Sequence, residues 1–391
     1  MQPTRNQLCP CRSGLRFKHC HGKLDGAASP QARPVSIPAQ VLAELQRREQ
    51  EEIDHRLAHG DVRSAISTEF MGHRIVASGK KLLWGKTWKV FPDFLNHRLS
   101  SLLGAEWGSK QVTLPLSEQH PVVQWRTIFT TIQQSQPRDQ DGLFNATSGA
   151  ATAWFRLAYD LYLVEHNSEL QKKLLRRIRD VNRFQGARFE AAVAAMMLAA
   201  GYDLEYADET GPGKHPEFFA TNRLTGHRLA VEAKSRHRPG ILGYPGQREA
   251  GGPNSFDIDR LLRDALAKDP HDPLLIFIEL NTPRLATYAT AAEYQEELNG
   301  AWMQAQSESW PNGFPAIGVV FYNDASPWQL DSQPPPGVPS VFVVTLWASQ
   351  SRHQFDPIPL LTRITEACGQ RLTIPIEFPS ARHGVNGSIA I

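Results

Sequence analysis

The 391-residue sequence predicts an α/β protein of three unequal parts: a small N-terminal Cys/His knuckle, a mostly helical middle region and a C-terminal mixed-sheet core. Three observations lead there. Cys9, Cys11 and Cys20 crowd one end of the chain and are followed at once by His21. Signals mix between 61 and 180, but long helical patterns such as "SGAATAWFRLAYDLYLVEHNSELQKKLLRRIRD" dominate. From 181 onward, helical and strand-like segments alternate. The boundaries expected are a knuckle at 1–26, a linker and charged helix at 27–60, a helical domain at 61–180 and an α/β domain at 181–391.

Composition narrows the function classes. Lys and Arg (42) almost balance Asp and Glu (40), so no global basic field advertises nucleic acid. The hydrophobic share of 41% fills ordinary cores, and the length suits two or three domains. No apolar run is long enough to span a bilayer, and the N-terminus is polar from its first residue. A soluble, cytoplasmic protein of a reducing compartment is expected, with no membrane partner. Four cysteines do not make a disulfide framework for a chain this long. Cys368, in "EACGQR", is expected to be a buried or indifferent thiol.

In the knuckle, Cys9-x-Cys11 is separated by eight residues from Cys20-His21. Three thiolates and an imidazole have the number and softness for tetrahedral zinc. A C-x-C disulfide would be strained, and a redox pair normally sits on a βα unit. Gly14 and the small Ser13 let the chain turn, Phe17 supplies an apolar cap, and Arg12, Arg16, Lys18 and Lys23 offset thiolate charge. The stretch "NQLCPCRSGLRFKHCHGK" resembles the SEC-C zinc motif, found at the C-terminal tail of the SecA translocase motor and attached to many unrelated proteins. Cys9, Pro10, Cys11, Ser13, Gly14, Phe17, Lys18, Cys20, His21 and Gly22 match the family pattern; Arg12 departs from it, since glycine is usual there. The resemblance covers about the first 25 residues. It implies a structural zinc on Cys9, Cys11, Cys20 and His21, and a docking surface for a protein or ribosome-like partner. Four protein ligands leave no open position for catalysis.

The linker "DGAASPQARPVSIP" leads into "AQVLAELQRREQEEIDHRLAHG", whose sparse apolar residues among dense charge predict a solvated helix. Farther on, "HRIVASGKKLLWGKTWKVFPDFL" interleaves Trp84 and Trp88 with Lys80, Lys81, Lys86 and Lys89. Such a pattern can stack single-stranded bases; the expectation preferred is that both tryptophans are core and the lysines face water.

In the α/β part, "RFQGARFEAAVAAMMLAAGY" predicts a helix, "YDLEYADET", "PEFFATN" and "HRLAVEAKSR" three strands, "DIDRLLRDALAKD" a helix and "PLLIFIEL" a buried strand. Beyond them, "AEYQEELNGAWMQAQSES" continues as a helix, and "FPAIGVVFYND" and "SVFVVTLW" as strands of the same sheet, joined by an exposed loop "DSQPPPGVPS". Strand alternation puts Leu229, Val231 and Ala233 on one face and Glu232 and Lys234 on the other. Glu217, in "HPEFF", begins a neighbouring strand and can converge with Glu232. Glu190 has no basic side chain three or four residues away on its own helix, so it should draw a metal or a cation from elsewhere.

Two acids one strand apart, a lysine two residues beyond the second and an acid on the preceding helix resemble the PD-(D/E)xK nuclease core, a restriction endonuclease-like α/β/α fold. The resemblance covers roughly 182 to 285: Pro216-Glu217 matches the first acid, Glu232-Ala233-Lys234 the E-x-K and Glu190 the helix acid. Aspartate is usual where Glu217 stands. The resemblance implies that Glu217 and Glu232 bind Mg²⁺ or Mn²⁺, that Lys234 orients or deprotonates the attacking water, and that Glu190 assists. Arg236 and Arg238 of "SRHRPG" form a local basic patch for phosphates, with the glycine-rich "LGYPGQREAGGPNS" a loop at the site's mouth. The expected activity is metal-dependent phosphodiester cleavage, on DNA first, with recruitment through the zinc motif. The alternative is a non-catalytic adaptor that binds protein or nucleic acid. His353, Asp356 and His383 are too scattered to be ligands.

Overall fold

A computed structural model describes residues 4–21, 39–135, 148–207, 215–244, 246, 258–283, 288–332 and 340–378. Much of the linker (22–38), the loop positions 245 and 247–257, most of "DSQPPPGVPS" (333–339) and His383 lie outside these residues. The chain divides into two compact units, Met1–Asp54 and His55–Ile391.

In the first unit the knuckle chain doubles back through an antiparallel bridge between Leu8 and Arg16 and enters a short 3₁₀ turn at Phe17–His19. Phe17 is only half-buried, and Leu8 and Leu15 are exposed. Helix α1 (Ala39–His59) buries no residue; Glu44, Arg47, Arg48 and Glu51 pair along its surface. This is the solvated, charge-laced helix that its pattern predicts.

The second unit opens with a three-stranded antiparallel sheet, β1 (Ile66–Phe70), β2 (His73–Ser78) and β3 (Lys81–Gly85), inside the region expected to be mostly helical. Its turns carry the explanation. Met71 (φ 48°) and Gly72 (φ 72°) are both left-handed, and Gly79 (φ 58°) opens the second turn. Paired positive φ angles suit the twist of a hairpin, but Met is an unusual residue for the first of them, so the turn signal is weak in sequence. Trp88 is core as expected, packed so closely over Gly85 that any Cβ there would lie 2.4 Å from the ring. Trp84 is not: it is 67% exposed.

Among the described residues six helices follow: α2 (Phe91–Leu103), α3 (Ala105–Val112), α4 (Pro121–Ser135), α5 (Gly149–Asn167), α6 (Lys172–Arg179) and α7 (Phe184–Ala199). Every residue of α7 except Gly186 is buried, because its run of alanines admits close approach from all sides. The main sheet comprises β4 (Tyr202–Tyr206), β5 (Phe218–Asn222), β6 (Arg228–Ser235), then α8 (Asp259–Leu266), β7 (Leu274–Glu279), α9 (Tyr288–Ser307), β8 (Ala316–Asp324) and β9 (Val341–Trp347), with α10 (Ile358–Gln370) last. Strands lie in chain order: β4 to β6 antiparallel, β6 to β8 parallel, and β9 antiparallel.

Alternation along the strands supplies two apolar faces. Leu229, Val231, Leu275, Phe277 and Val320 join the core shared with α7 and α10, whereas Ala230, Ile276, Ile278, Val319 and Phe321 join a second core with α8 and Trp302 of α9. The first core runs continuously from Val62 to Cys368, so the boundary expected near residue 180 is no break in packing. Cys368 is fully buried, as its isolation suggested, and burial pushes its thiol up to about 12. Among the described residues no helix is long and apolar enough to cross a membrane.

Candidate functional site

The knuckle gathers its four expected ligands. Cys9 Sγ and Cys20 Sγ lie 3.2 and 3.3 Å from His21 Nδ1, Cys11 Sγ lies 3.5 Å from Cys20 Sγ, and all four donor atoms fall within 4.8 Å of one another. Zinc bonds of about 2.3 Å to sulfur and about 2.0 Å to nitrogen space tetrahedral donors by roughly 3.5 Å, so the set fits the ion. Among the described residues this is the one group of three or more His, Cys, Asp and Glu side chains placed to share a metal.

Local backbone holds the donors. Cys9 N–H bonds to Leu15 O (2.8 Å), Arg12 N–H to Cys9 O (3.1 Å), and Cys20 N–H to Phe17 O (3.1 Å). The backbone N–H of Cys11 lowers the Cys9 thiol's pKa, and the Ser13 hydroxyl lowers that of Cys11. The same hydroxyl donates to Cys20 Sγ at 3.4 Å and is the largest single influence on that thiol, lowering it, but the Cys11 and Cys9 sulfurs and burial together leave the Cys20 thiol higher. Arg12, the departure from the family pattern, has φ 61°. The turn requires a left-handed residue there, which is why glycine suits the position and why arginine is strained in it.

A second polar centre lies in the main sheet. Glu217 N–H bonds to Val231 O at 3.0 Å just before the pair Phe218–Val231, so the chain leaves the β5–β6 register there and Glu217 lies alongside Val231, next to Glu232. The start of β5 and the latter half of β6 lie at the same end of the sheet, so antiparallel pairing brings these residues near one another in space. From α7, Glu190 comes close enough to Glu217 for the two carboxyl groups to repel. Lys234 Nζ lies 2.6 Å from Glu232 Oε1.

The electrostatics are those of crowded, desolvated acids. Glu232 is fully buried; neither of its carboxylate oxygens has a well-directed hydrogen bond, the Lys234 contact being an ion pair off the bonding line. Burial raises its pKa to about 7, with Lys234 and Lys268 opposing and Glu217 adding to the shift. Burial, then repulsion from Glu217, raises Glu190 to about 8 against the pull of Arg177.

Two members of the site escape the motif. Arg177, on α6, forms the ion pair with Glu190 that its own helix could not offer. The amphipathic "KKLLRRIR" signals a basic face, with Leu174 and Ile178 as its anchors, but nothing in it names the partner. Lys268, just past α8, lies 3.5 Å from Glu232 Oε1 and donates to His215 O at 2.6 Å.

The basic patch expected downstream is not an open one. Arg238 is buried, its guanidinium 5.8 Å from the ring centre of Trp328, because the chain turns inward after β6. Arg236 is half-buried, its N–H bonded to Glu279 O. Beside them Glu279 accepts from Ser235 Oγ (2.6 Å) and pairs with Arg188, a closed internal network. His353 contacts Arg352 at 3.2 Å, away from any ligand group.

Comparison with known proteins bears on the knuckle. The SEC-C motif family matches residues 5–23. Over 21 residues the chain is 76% identical to the protein translocase subunit SecA of Orientia tsutsugamushi (strain Ikeda), and over 23 residues 70% identical to that of Gluconobacter oxydans (strain 621H). These stretches are 5% and 6% of this chain and span only 2% of either relative. No solved structure matches the chain. At its N-terminus, therefore, the protein carries a SEC-C motif whose Cys/His cluster can bind zinc.

Proposed function

We propose that the segment from α7 to β7 is a PD-(D/E)xK-type core and that the protein is a metal-dependent nuclease, acting on DNA first, with the zinc knuckle as its recruiting module. Glu190 beside Glu217, Glu217 near Glu232 and Lys234 on Glu232, set on a helix, three antiparallel strands, a helix and a parallel strand, carry this reading.

Glu190, Glu217 and Glu232 are not gathered closely enough to share an ion as a set of three, so a divalent ion here would rest on two carboxylates. Glu217 and Glu232 supply hard oxygens, Glu232 with two that lack directed partners. Mg²⁺ is commonly held by one or two carboxylates, substrate phosphates completing its shell. Bound there, such an ion would polarise a phosphodiester and lower the pKa of water. Lys234 holds its ammonium against Glu232, placed to orient a nucleophile or to offset charge building on the phosphate. Glu190 stands beside Glu217, and Arg177 balances the charge. On α6, Lys172, Arg176 and Arg179 have no ion-pair partner among the described residues, and they give the neighbouring surface a cationic strip for a phosphate backbone.

The test is to incubate the purified full chain with circular, linear and single-stranded DNA and with RNA, in Mg²⁺ or Mn²⁺. Cleavage should fall at least ~100-fold in Lys234→Ala, the scale of a lost proton-transfer or electrostatic group. No cleavage of any substrate, or cleavage indifferent to that change, sinks the nuclease. One observation favours a non-catalytic adaptor instead: Lys234 and Arg177 already neutralise Glu232 and Glu190 without an ion.

A further inference from the structure

The sheet β1–β3 turns one face inward and leaves the other bare. Ser67 and Val76 are buried and Leu83 packs against the core. The register fixes what stands on the opposite face: Thr68, Ile75 and Trp84 in one row, Ile66, Ala77 and Leu82 in the next, and Phe70 across from His73. Phe70 is 59% exposed and Trp84 67%. Two large aromatic rings on the outer strands of a small sheet cost free energy in water, and this chain keeps both there.

Size and charge select the occupant. Strands of five, six and five residues, at about 3.3 Å per residue and about 4.8 Å between strands, offer a face of roughly 250 Å². A stable protein interface needs about 800 Å² per partner, so the face is too small to seat a folded partner or a second copy by itself. Its rim is cationic. Lys81 pairs with Glu165 on the inner side, but Lys80, Lys86 and Lys89 are exposed with no ion-pair partner among the described residues. The one acid of these strands, Glu69, is taken by Arg74. Trp84 and Phe70 lie about two strand spacings apart and two residues offset, roughly 12 Å, room for separate bases rather than one ring.

We infer that the outer face of β1–β3 is a stacking platform for single-stranded nucleic acid, with Trp84 and Phe70 under the bases and Lys80, Lys86 and Lys89 along the phosphates. Stacking on aromatic faces is indifferent to sequence, and phosphate contacts make such binding salt-dependent. A duplex buries its base faces and cannot use the rings. The inference does not depend on cleavage at Glu232 and Lys234.

Binding of labelled oligo(dT) and oligo(U) by the full, zinc-loaded chain, measured by anisotropy with no Mg²⁺ or Mn²⁺ added, tests it. Single strands should bind, and an equal length of duplex should compete poorly. Trp84→Ala should weaken binding on the order of 10-fold and Phe70→Ala by somewhat less, with the thermal transition unchanged. Replacing Lys80, Lys86 and Lys89 together by Ala should flatten the slope of log K against log salt by about 2. Absence of single-strand binding, or affinity unmoved in the Trp84→Ala/Phe70→Ala variant, overturns the platform. So does a wild-type oligomer that those changes make monomeric, since the face would then serve a second copy of the chain. Leaving out Mg²⁺ and Mn²⁺ separates this from the nuclease: a chain that binds through Trp84 yet, with those ions restored, cleaves nothing keeps the platform and loses the enzyme.

Discussion

The knuckle and the acidic centre are both clusters of ligand-type side chains, and they are stabilised in opposite ways. The knuckle is drawn from thirteen consecutive positions, Cys9 to His21, and apart from the buried Cys9 its groups are exposed or half-exposed, with one half-buried aromatic. So small a loop buries little apolar surface, and a zinc ion on its four donors would supply the order that a core cannot. The acidic centre draws on α6, α7, β5, β6 and the end of α8, over positions 177 to 268, and sits on a core that orders it with or without an ion. One cluster has the makings of a fold ordered by a metal; the other is a fold that tolerates unfavourable charges.

That contrast breaks most visibly at the sulfurs. Cys9→Ser/Cys20→Ser should take zinc from one ion per chain to none by metal analysis, and should unfold the knuckle, because structural zinc contributes on the order of 10 kcal/mol. The thermal transition of the second unit should stay where it was. A common loss of both would show that the knuckle is not an independently stabilised module. Zinc content near zero in carefully purified wild-type protein would remove the metal from the knuckle altogether.

The acidic centre should respond to protons in the opposite sense from a salt-bridged carboxylate. With Glu232 held near 7 and Glu190 near 8, the folded protein binds protons more tightly than the unfolded chain, whose glutamates titrate near 4.5. Stability of the metal-free protein is then fullest below about pH 4.5 as far as these groups are concerned, and declines as pH rises through about 8. The slope approaches ~1.4 kcal/mol per pH unit for each group at most. Urea unfolding from pH 5 to 8 should show this decline, and Glu190→Gln should flatten it. A profile identical in wild type and variant would mean that Glu190 is not held protonated by burial.

The smallest effect returns to the knuckle. Arg12→Gly should relieve a left-handed non-glycine residue and tighten zinc by about 1 kcal/mol, roughly five-fold in a chelator competition. Weaker binding in the glycine variant would mean that the arginine side chain contributes more than its backbone costs.

How far each region was legible follows from the range of its contacts. The zinc ligands, the solvated α1, the buried Cys368 and the order of strands and helices from α7 to β9 can be read from spacing and alternation, because each depends on neighbours along the chain. That Glu217 and Glu232 belong to neighbouring strands can be read once the strands are recognised, but the slip of register at Glu217 that sets their approach cannot. Arg177 and Lys268 cannot, for their helices meet the site only after the sheet is assembled. Trp84 and Trp88 make the point most sharply. They are four positions apart in the same Trp/Lys pattern, yet one covers Gly85 in the core and the other stands in solvent, because a strand ends between them and the chain reverses its inner side. Arg238 is the converse: a basic residue in a basic run that packing turns inward. Sequence alone thus determined which groups this protein possesses and which of them share a strand or a turn. Only tertiary packing decided which would lose their water, and loss of water is what makes carboxylates basic, arginines structural and an exposed tryptophan worth testing.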